Sequence, residues 1–139
     1  TEFVSQFFGT NAISGKREGS ATYHKSCHLL REIGVDEQPI EMLANIDGLD
    51  FSYLERADVC CGFGGAFSVK MPDISSAILD EKLDFIEANG SSTVVAADAG
   101  CVYQMQGGLR RRGSDVQVVH IAQILAESIK NSGSLDEKR

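Results

Sequence analysis

No apolar run in this 139-residue sequence approaches the ~20 residues that a membrane-spanning helix needs. The opening residues, TEFVSQFFGT, offer neither a basic head nor a long apolar stretch, so no signal peptide is expected. Basic residues are in deficit: 13 Lys and Arg stand against 20 Asp and Glu, a net charge of −7. Nucleic acid and anionic membrane surfaces both call for a Lys/Arg surplus, so neither is expected as a partner. Low-complexity segments and strict internal repeats are missing as well. Cysteines number only four. Two disulfides are a poor use for them, because 42% hydrophobic residues supply a core without staples. A bridge between the adjacent Cys60 and Cys61 would also strain the peptide joining them. Reduced thiols in a cytoplasmic protein fit better, and there the usual roles are metal binding and catalysis.

What is present suits one folded domain. The chain starts at Thr1 rather than at a methionine and reads as a piece of a longer protein. Residues 1–19 form a mixed segment, with Phe3, Val4, Phe7 and Phe8 on one face of a short helix and a polar linker over 9–20. The domain proper is expected over 20–130, with a frayed polar tail over 131–139.

Within that domain strands and helices alternate. Ala21-Thr22-Tyr23-His24 predicts a strand, and 27–33 a short helix closed by Gly34. Asp36 is placed to cap a helix carrying Ile40, Leu43 and Ile46 on one face, with Gly48 closing it. Residues 49–54 predict a second strand, followed by a glycine-rich loop over 57–65. Pro72 and Asp73 open the clearest helix, which runs to Asn89-Gly90. Ile74, Ala77, Ile78 and Phe85 share its apolar face, which Glu81 and Lys82 interrupt. Thr93-Val94-Val95-Ala96-Ala97 has the continuous apolar character of a strand covered on both sides. A helix then runs from Asp98-Ala99-Gly100-Cys101 to Arg112, weakened or broken at Gly107-Gly108. Residues 116–119 predict a fourth strand, and Ile121, Ile124, Leu125 and Ile129 the face of a last helix. The alternation predicts a small three-layer, Rossmann-like α/β domain of about four mostly parallel strands with flanking helices.

In such a sheet ligands bind at the carboxyl ends of the strands. Cys27 follows the first strand, Cys60 and Cys61 the second, and Cys101 the third, so all four are expected on one edge. His24 ends the first strand, His28 adjoins Cys27 and His120 ends the fourth strand. Each is a candidate ligand, proton shuttle or satisfied polar group. A lone free cysteine is often a small core filler. Four at strand ends, two of them beside glycines, fit that role poorly. Four thiolates suit an iron–sulfur cluster or zinc. Gly62, Gly64 and Gly65 after the pair, and Gly100 before Cys101, let backbone approach closely and aim N–H groups at sulfur. Helix N-termini at Cys27 and Cys101 favour the thiolate form. Gly62-Phe63-Gly64-Gly65 is not a phosphate loop, because Phe67 stands where the dinucleotide fingerprint needs its third glycine and no Gly-Lys-Ser/Thr is present. Lys25 and Lys70 read as solvated surface charges. Arg110, Arg111 and Arg112 read as complements to a helix C-terminus at the opposite edge.

The spacing of the cysteines resembles that of a known family. Cys27 precedes Cys60-Cys61-Gly62 by 32 residues, and 39 residues separate Cys61 from Cys101. This is similar to the cysteine-rich CCG domain found in heterodisulfide reductase and in the iron–sulfur component of glycolate oxidase. Tyr23-His24-Lys25-Ser26-Cys27-His28-Leu29-Leu30-Arg31, the run from Cys60-Cys61-Gly62-Phe63-Gly64-Gly65 to Pro72, Asp98-Ala99-Gly100-Cys101 and His120-Ile121-Ala122 are most similar to the family's lactate-utilization branch. The resemblance spans roughly residues 20–130. It departs from the family where Cys-x-x-Cys is usual, since Gln104 fills the last position, and its final interval is longer than usual.

The resemblance implies an iron–sulfur cluster held by Cys27, Cys60, Cys61 and Cys101, or by fewer cysteines plus a histidine. Gly62, Gly64, Gly65, His24, His28 and His120 would surround it. An isolated module can lose such a cluster. The implied role is electron transfer in a cytoplasmic complex oxidising a 2-hydroxy acid of the lactate-to-pyruvate type. Family members usually carry two such modules in tandem, so the implied partners are an N-terminal CCG module and other iron–sulfur proteins. Two other uses of the same cysteines stay open: a structural or regulatory zinc site, and a metal-free thiol-redox module in which Cys60 or Cys61 cycles against Cys27 or Cys101.

Overall fold

The computed structural model of the chain describes residues 15–132. Its elements are β1 (Gly15–His24), a π-helical turn (Leu29–Ile33), α1 (Gln38–Ala44), β2 (Ile46–Phe51), α2 (Ala66–Lys70), α3 (Pro72–Asn89), β3 (Thr93–Ala96), α4 (Ala99–Arg112), β4 (Gln117–His120) and α5 (Ile121–Asn131). The strands form one sheet in the order β2-β1-β3-β4, and every pairing is parallel. This is the expected three-layer α/β architecture. The chain steps from β1 to β2 on one side and returns to β3 on the other. Strand order therefore reverses between β1 and β3, which opens a crevice at their carboxyl ends. His24, Ala96 and His120 stand in register there, so these three strands end level.

Two cores cover the sheet. On one side Ala21, Tyr23 and Val95 meet Ile40 and Leu43 of α1 and Ile121 and Ile124 of α5. On the other, Val94, Ala96 and Val118 meet Leu79, Leu83 and Ile86 of α3 and Met105 and Leu109 of α4, and Cys61 and Cys101 belong to this second core. Side chains alternate along a strand, so Thr22 and His24 face the α3–α4 side.

The structure departs from the local sequence pattern in four places. Residues 15–20, expected in a linker, extend β1 and pair with β2, with a register shift between Lys16 and Gly19. Their polar sequence carries no strand pattern; the pairing comes from a partner some 30 residues away, Gly15 lying opposite Ile46. The expected helix face of Phe3, Val4, Phe7 and Phe8 and the tail from 133 lie outside the described residues. Second, Ile46 and Gly48 belong to β2, not to the preceding helix, and the second strand accordingly starts before residue 49. That helix begins after Glu37 rather than Asp36, and the Asp36 carboxylate instead receives the Lys25 ammonium.

Third, α3 buries Ser75, Leu79, Lys82, Leu83 and Ile86, while Ile74 is 48% exposed. The buried face is displaced by one residue from the expected one. Fourth, Gly107-Gly108 does not break α4, which is continuous to Arg112. A Cβ on Gly108 would lie 2.7 Å from Leu83 and 3.0 Å from Leu79, so this glycine sets the close approach of α4 to α3. Arg112 reinforces the same contact, reaching Asp84 at 2.7 Å, Glu87 at 2.8 Å and Asp80 at 3.1 Å.

Candidate metal centre

The site is assembled where β1 and β3 end. Asp98 caps α4 by accepting the Cys101 N–H at 3.1 Å, which holds Cys101 in the first turn with its side chain buried. The loop carrying Cys60-Cys61 arrives from β2. It turns at Gly62, whose φ is +81° and whose missing Cβ would lie 2.5 Å from the Ser75 carbonyl oxygen. A side chain fits neither the conformation nor the space. Ser75 Oγ donates to the Gly62 carbonyl at 2.7 Å, and Gln104 Nε2 lies 3.3 Å from the same hydroxyl. Gln104 thus braces the loop. Phe63 lies against Gly100, where a Cβ would come within 2.6 Å of the ring, and this closes the loop onto α4. The outcome is a Cys61 Sγ to Cys101 Sγ distance of 3.0 Å.

His24 completes an inner group. It is fully buried, and neither ring nitrogen makes a hydrogen bond of normal geometry. The Cys61 thiol and the Ala57 backbone are polar neighbours of the ring. A ring nitrogen of His24 and the sulfurs of Cys61 and Cys101 all lie within 4.8 Å of one another. Cys60 is half-buried just outside this group, with the Gly62 N–H 3.3 Å from its sulfur and Cys27 beside it. Two cysteine pairs, one inner and one outer, therefore meet at the strand ends.

The electrostatics favour one thiolate in the inner pair. The hydrogen bond with Cys101 holds Cys61 down at about 5 against the effect of burial, aided by His24 and the Phe63 N–H. Cys101 is held far above the ordinary thiol range by the same bond and by burial. Burial is also the main influence on Cys60, which is raised. Burial lowers His24, which leaves a neutral imidazole able to act as a ligand. Lys82 is fully buried and pushed down to about 8 by burial, against the pull of Asp58, Cys61, Cys101 and Cys60.

The other expected site residues have different surroundings. His28 is exposed and pairs with Glu32 at 3.1 Å. His120 caps α5: its Nδ1 accepts the Ala122 N–H at 3.2 Å and its Nε2 lies 3.1 Å from the Ala97 carbonyl, so both nitrogens are engaged. Gly64 and Gly65 lie at the exposed turn into α2. Lys25 is tied to Asp36 and Glu37, and Lys70 is exposed. Two further residues near the cysteines are not among the expected site residues. Ser26 is buried with its hydroxyl 3.9 Å from Cys101 Sγ. Lys82 interrupts the expected apolar face, yet it falls on the buried stripe 75, 79, 82, 83, 86. A lysine at the centre of such a stripe is the signal that marks it.

The His24 imidazole and the Cys61 and Cys101 sulfurs form a donor set suited to iron or zinc, with Cys60 and Cys27 just outside it. Leaving a buried ring nitrogen unpartnered costs about 1–3 kcal/mol, a cost that ligation removes. The residues thus fit a metal–thiolate centre on both counts.

The chain matches the model of the CCG cysteine-rich domain over residues 21–106. It is 45% identical over 125 residues to lactate utilization protein A of Lysinibacillus sphaericus, covering 90% of this chain and 55% of that protein. It is 40% identical over 129 residues to lactate utilization protein A 1 of Bacillus anthracis, covering 93% and 53% respectively. A third relative, lactate utilization protein A of an Exiguobacterium species, is 40% identical over 132 residues, covering 95% and 54%. The chain therefore spans about half the length of these relatives. No helix among the described residues is long and apolar enough to cross a membrane. The family match takes in Cys27, Cys60, Cys61 and Cys101 together with the strands that position them, and the chain belongs to the cysteine-rich CCG domain family.

Proposed function

We propose that the chain is an iron–sulfur electron-transfer module, with its working unit over residues 20–130, in a cytoplasmic complex that oxidises a 2-hydroxy acid such as lactate. The observation that supports this reading is the meeting of Cys61 and Cys101 with the buried His24, with Cys60 and Cys27 beside them. Four thiolates are the common complement of an iron–sulfur cluster. The names of the relatives support the substrate class, and their greater length, of which this chain matches about half, supports a second CCG module as partner, alongside other iron–sulfur proteins.

Such a cluster, when bound, supplies one-electron chemistry. The chain's own part is to hold it and set its surroundings. Cys61 and Cys101 offer buried sulfurs, Cys27 and Cys60 outer ones, and the Gly62 and Phe63 N–H groups stabilise negative charge on Cys60 and Cys61. His24 stands by the inner pair as a nitrogen ligand. Anaerobic reconstitution with iron and sulfide tests the reading. The expected result is thiolate-to-iron absorbance and an EPR signal on reduction; a colourless, EPR-silent product overturns it.

A zinc site at the same residues is the second reading, and the tight His24-Cys61-Cys101 group favours it. Elemental analysis decides between the two: close to one zinc per chain, with no iron, selects zinc. The 3.0 Å separation of Cys61 and Cys101 also suits a metal-free dithiol. Mass spectrometry before and after alkylation identifies that case by reversible loss of two alkylatable thiols.

A further inference from the structure

We propose that Lys82 is a positioning residue of the cysteine site, holding the Cys60-Cys61 loop by its backbone and keeping a buried positive charge behind the thiolates that favours the reduced, more negative state of a bound cluster. The inference rests on the metal-centre reading above.

The geometry comes first. Lys82 stands midway along α3, 0% exposed. Its Nζ donates to the Arg56 carbonyl at 2.9 Å and the Ala57 carbonyl at 3.0 Å. These are the carbonyls that lead through Asp58 and Val59 into Cys60. The Ala57 carbonyl also accepts the N–H of Lys25, the residue after His24, at 3.0 Å. One acceptor therefore joins the end of β1 to the approach to the cysteine pair, with Lys82 beneath both.

The loop needs holding at this point. Arg56 is the only non-glycine residue with positive φ among the described residues, at +50°. Backbone of this kind persists where several contacts determine it. α3 supplies three: Glu81 takes Arg56 Nη1 at 2.8 Å, the guanidinium lies 5.3 Å from the Phe85 ring, and Lys82 takes the carbonyl.

The charge needs a separate reason. A neutral donor would satisfy two carbonyls without the cost of burying an ammonium. A buried cation is kept where an anion answers it. Asp58 is near but exposed. The enclosed acidic groups facing Lys82 are the site thiols Cys61, Cys101 and Cys60, of which Cys61 is the thiolate in the metal-free chain, with His24 on the same side. A cluster bound there carries more negative charge when reduced, so a fixed cation raises its tendency to accept an electron.

The test uses the full 139-residue chain, reconstituted anaerobically, with Lys82→Met, Lys82→Gln and Lys82→Arg. The reduction potential is followed by EPR-monitored titration. Lys82→Gln, which keeps a donor but no charge, is expected to lower the reduced-to-oxidised ratio at fixed potential about tenfold, a fall of ~59 mV for a one-electron couple. Lys82→Arg is expected to retain the wild-type potential. In the metal-free chain, amide exchange at Lys25 and Val59 is expected to quicken about tenfold in Lys82→Met and much less in Lys82→Gln. Should Lys82→Met fail to fold, Lys82→Gln against Lys82→Arg carries the comparison. A Lys82→Gln potential equal to wild type overturns the role of the charge, and unchanged exchange in a folded Lys82→Met overturns the positioning. If the wild-type chain takes up neither a cluster nor cobalt(II), the reading of the site falls and this inference with it. Uptake by wild type with no effect of any Lys82 variant sinks the inference alone.

Discussion

The two sides of the sheet bury different chemistry. Against α1 and α5 the sheet presents Ala21, Tyr23 and Val95, and the helices answer with isoleucine and leucine. Against α3 and α4 the buried layer contains Thr22, His24, Ser75 and Lys82 as well as Cys61 and Cys101. The Thr22 hydroxyl and both His24 nitrogens have no hydrogen-bond partner there. Apolar surface buried on the first side is worth roughly 25 cal/mol per Å² with little to offset it. On the second side, desolvation of polar groups subtracts from the same gain. The first side therefore acts mainly as a foundation, and the second trades stability for a place to bind.

This contrast can be broken at several points. The largest effect is expected at the inner sulfurs: Cys61→Ser or Cys101→Ser abolishes cluster or cobalt(II) uptake, read by visible absorbance, while far-UV circular dichroism stays native. On the opposite side, Leu43→Ala is expected to cost about 2–5 kcal/mol in urea unfolding, with metal uptake by the folded protein unchanged. Equal loss of uptake in both cases would erase the distinction between the two sides.

A pH experiment sharpens it. Lys82 in the folded metal-free chain is lowered to about 8 from an ordinary value of 10.5. Below pH 8 both states carry the charge and folding bears its burial. Between pH 8 and 10.5 the unfolded chain binds more protons, so stability rises with pH. Wild type is expected to gain up to about 3 kcal/mol over this window relative to Lys82→Met. Asp58, His24, Cys60, Cys61 and Cys101 face position 82 in both proteins, so the difference between the two curves reports mainly the lysine itself. Parallel stability curves would show that the lysine is not buried as a cation. The smallest effect concerns His24. His24→Leu removes unpartnered polar atoms and is expected to stabilise the metal-free chain by about 1–2 kcal/mol, while cobalt(II) affinity falls. Destabilisation instead would indicate a structural hydrogen bond for the ring.

Much of the fold is legible in the sequence because its signals are local. β3 is a continuous apolar run, α3 opens at Pro72, and Gly34 and Gly90 stop helices with φ of 76° and 77°. The cysteines can be located as well, since a parallel sheet brings every strand's carboxyl end to one edge. What escapes a local reading depends on distant partners. Residues 15–20 are strand only because β2 pairs with them. Gly108 has the character of a helix breaker but is the contact point of α4 with Leu79 and Leu83. His120 has the position of a ligand, but its ring caps α5.

The sequence by itself determined the α/β class, the four thiols and the edge on which they fall, because hydrophobic periodicity and strand-end position need only the neighbouring residues to be read. Only the tertiary structure decided that Cys61 and Cys101 meet beside an unpartnered His24, that Gln104 braces the loop, and that Lys82 points inward. Those facts depend on how two helices pack against one face of the sheet. Such packing is settled by close contacts between residues tens of positions apart, whose geometry no local pattern contains.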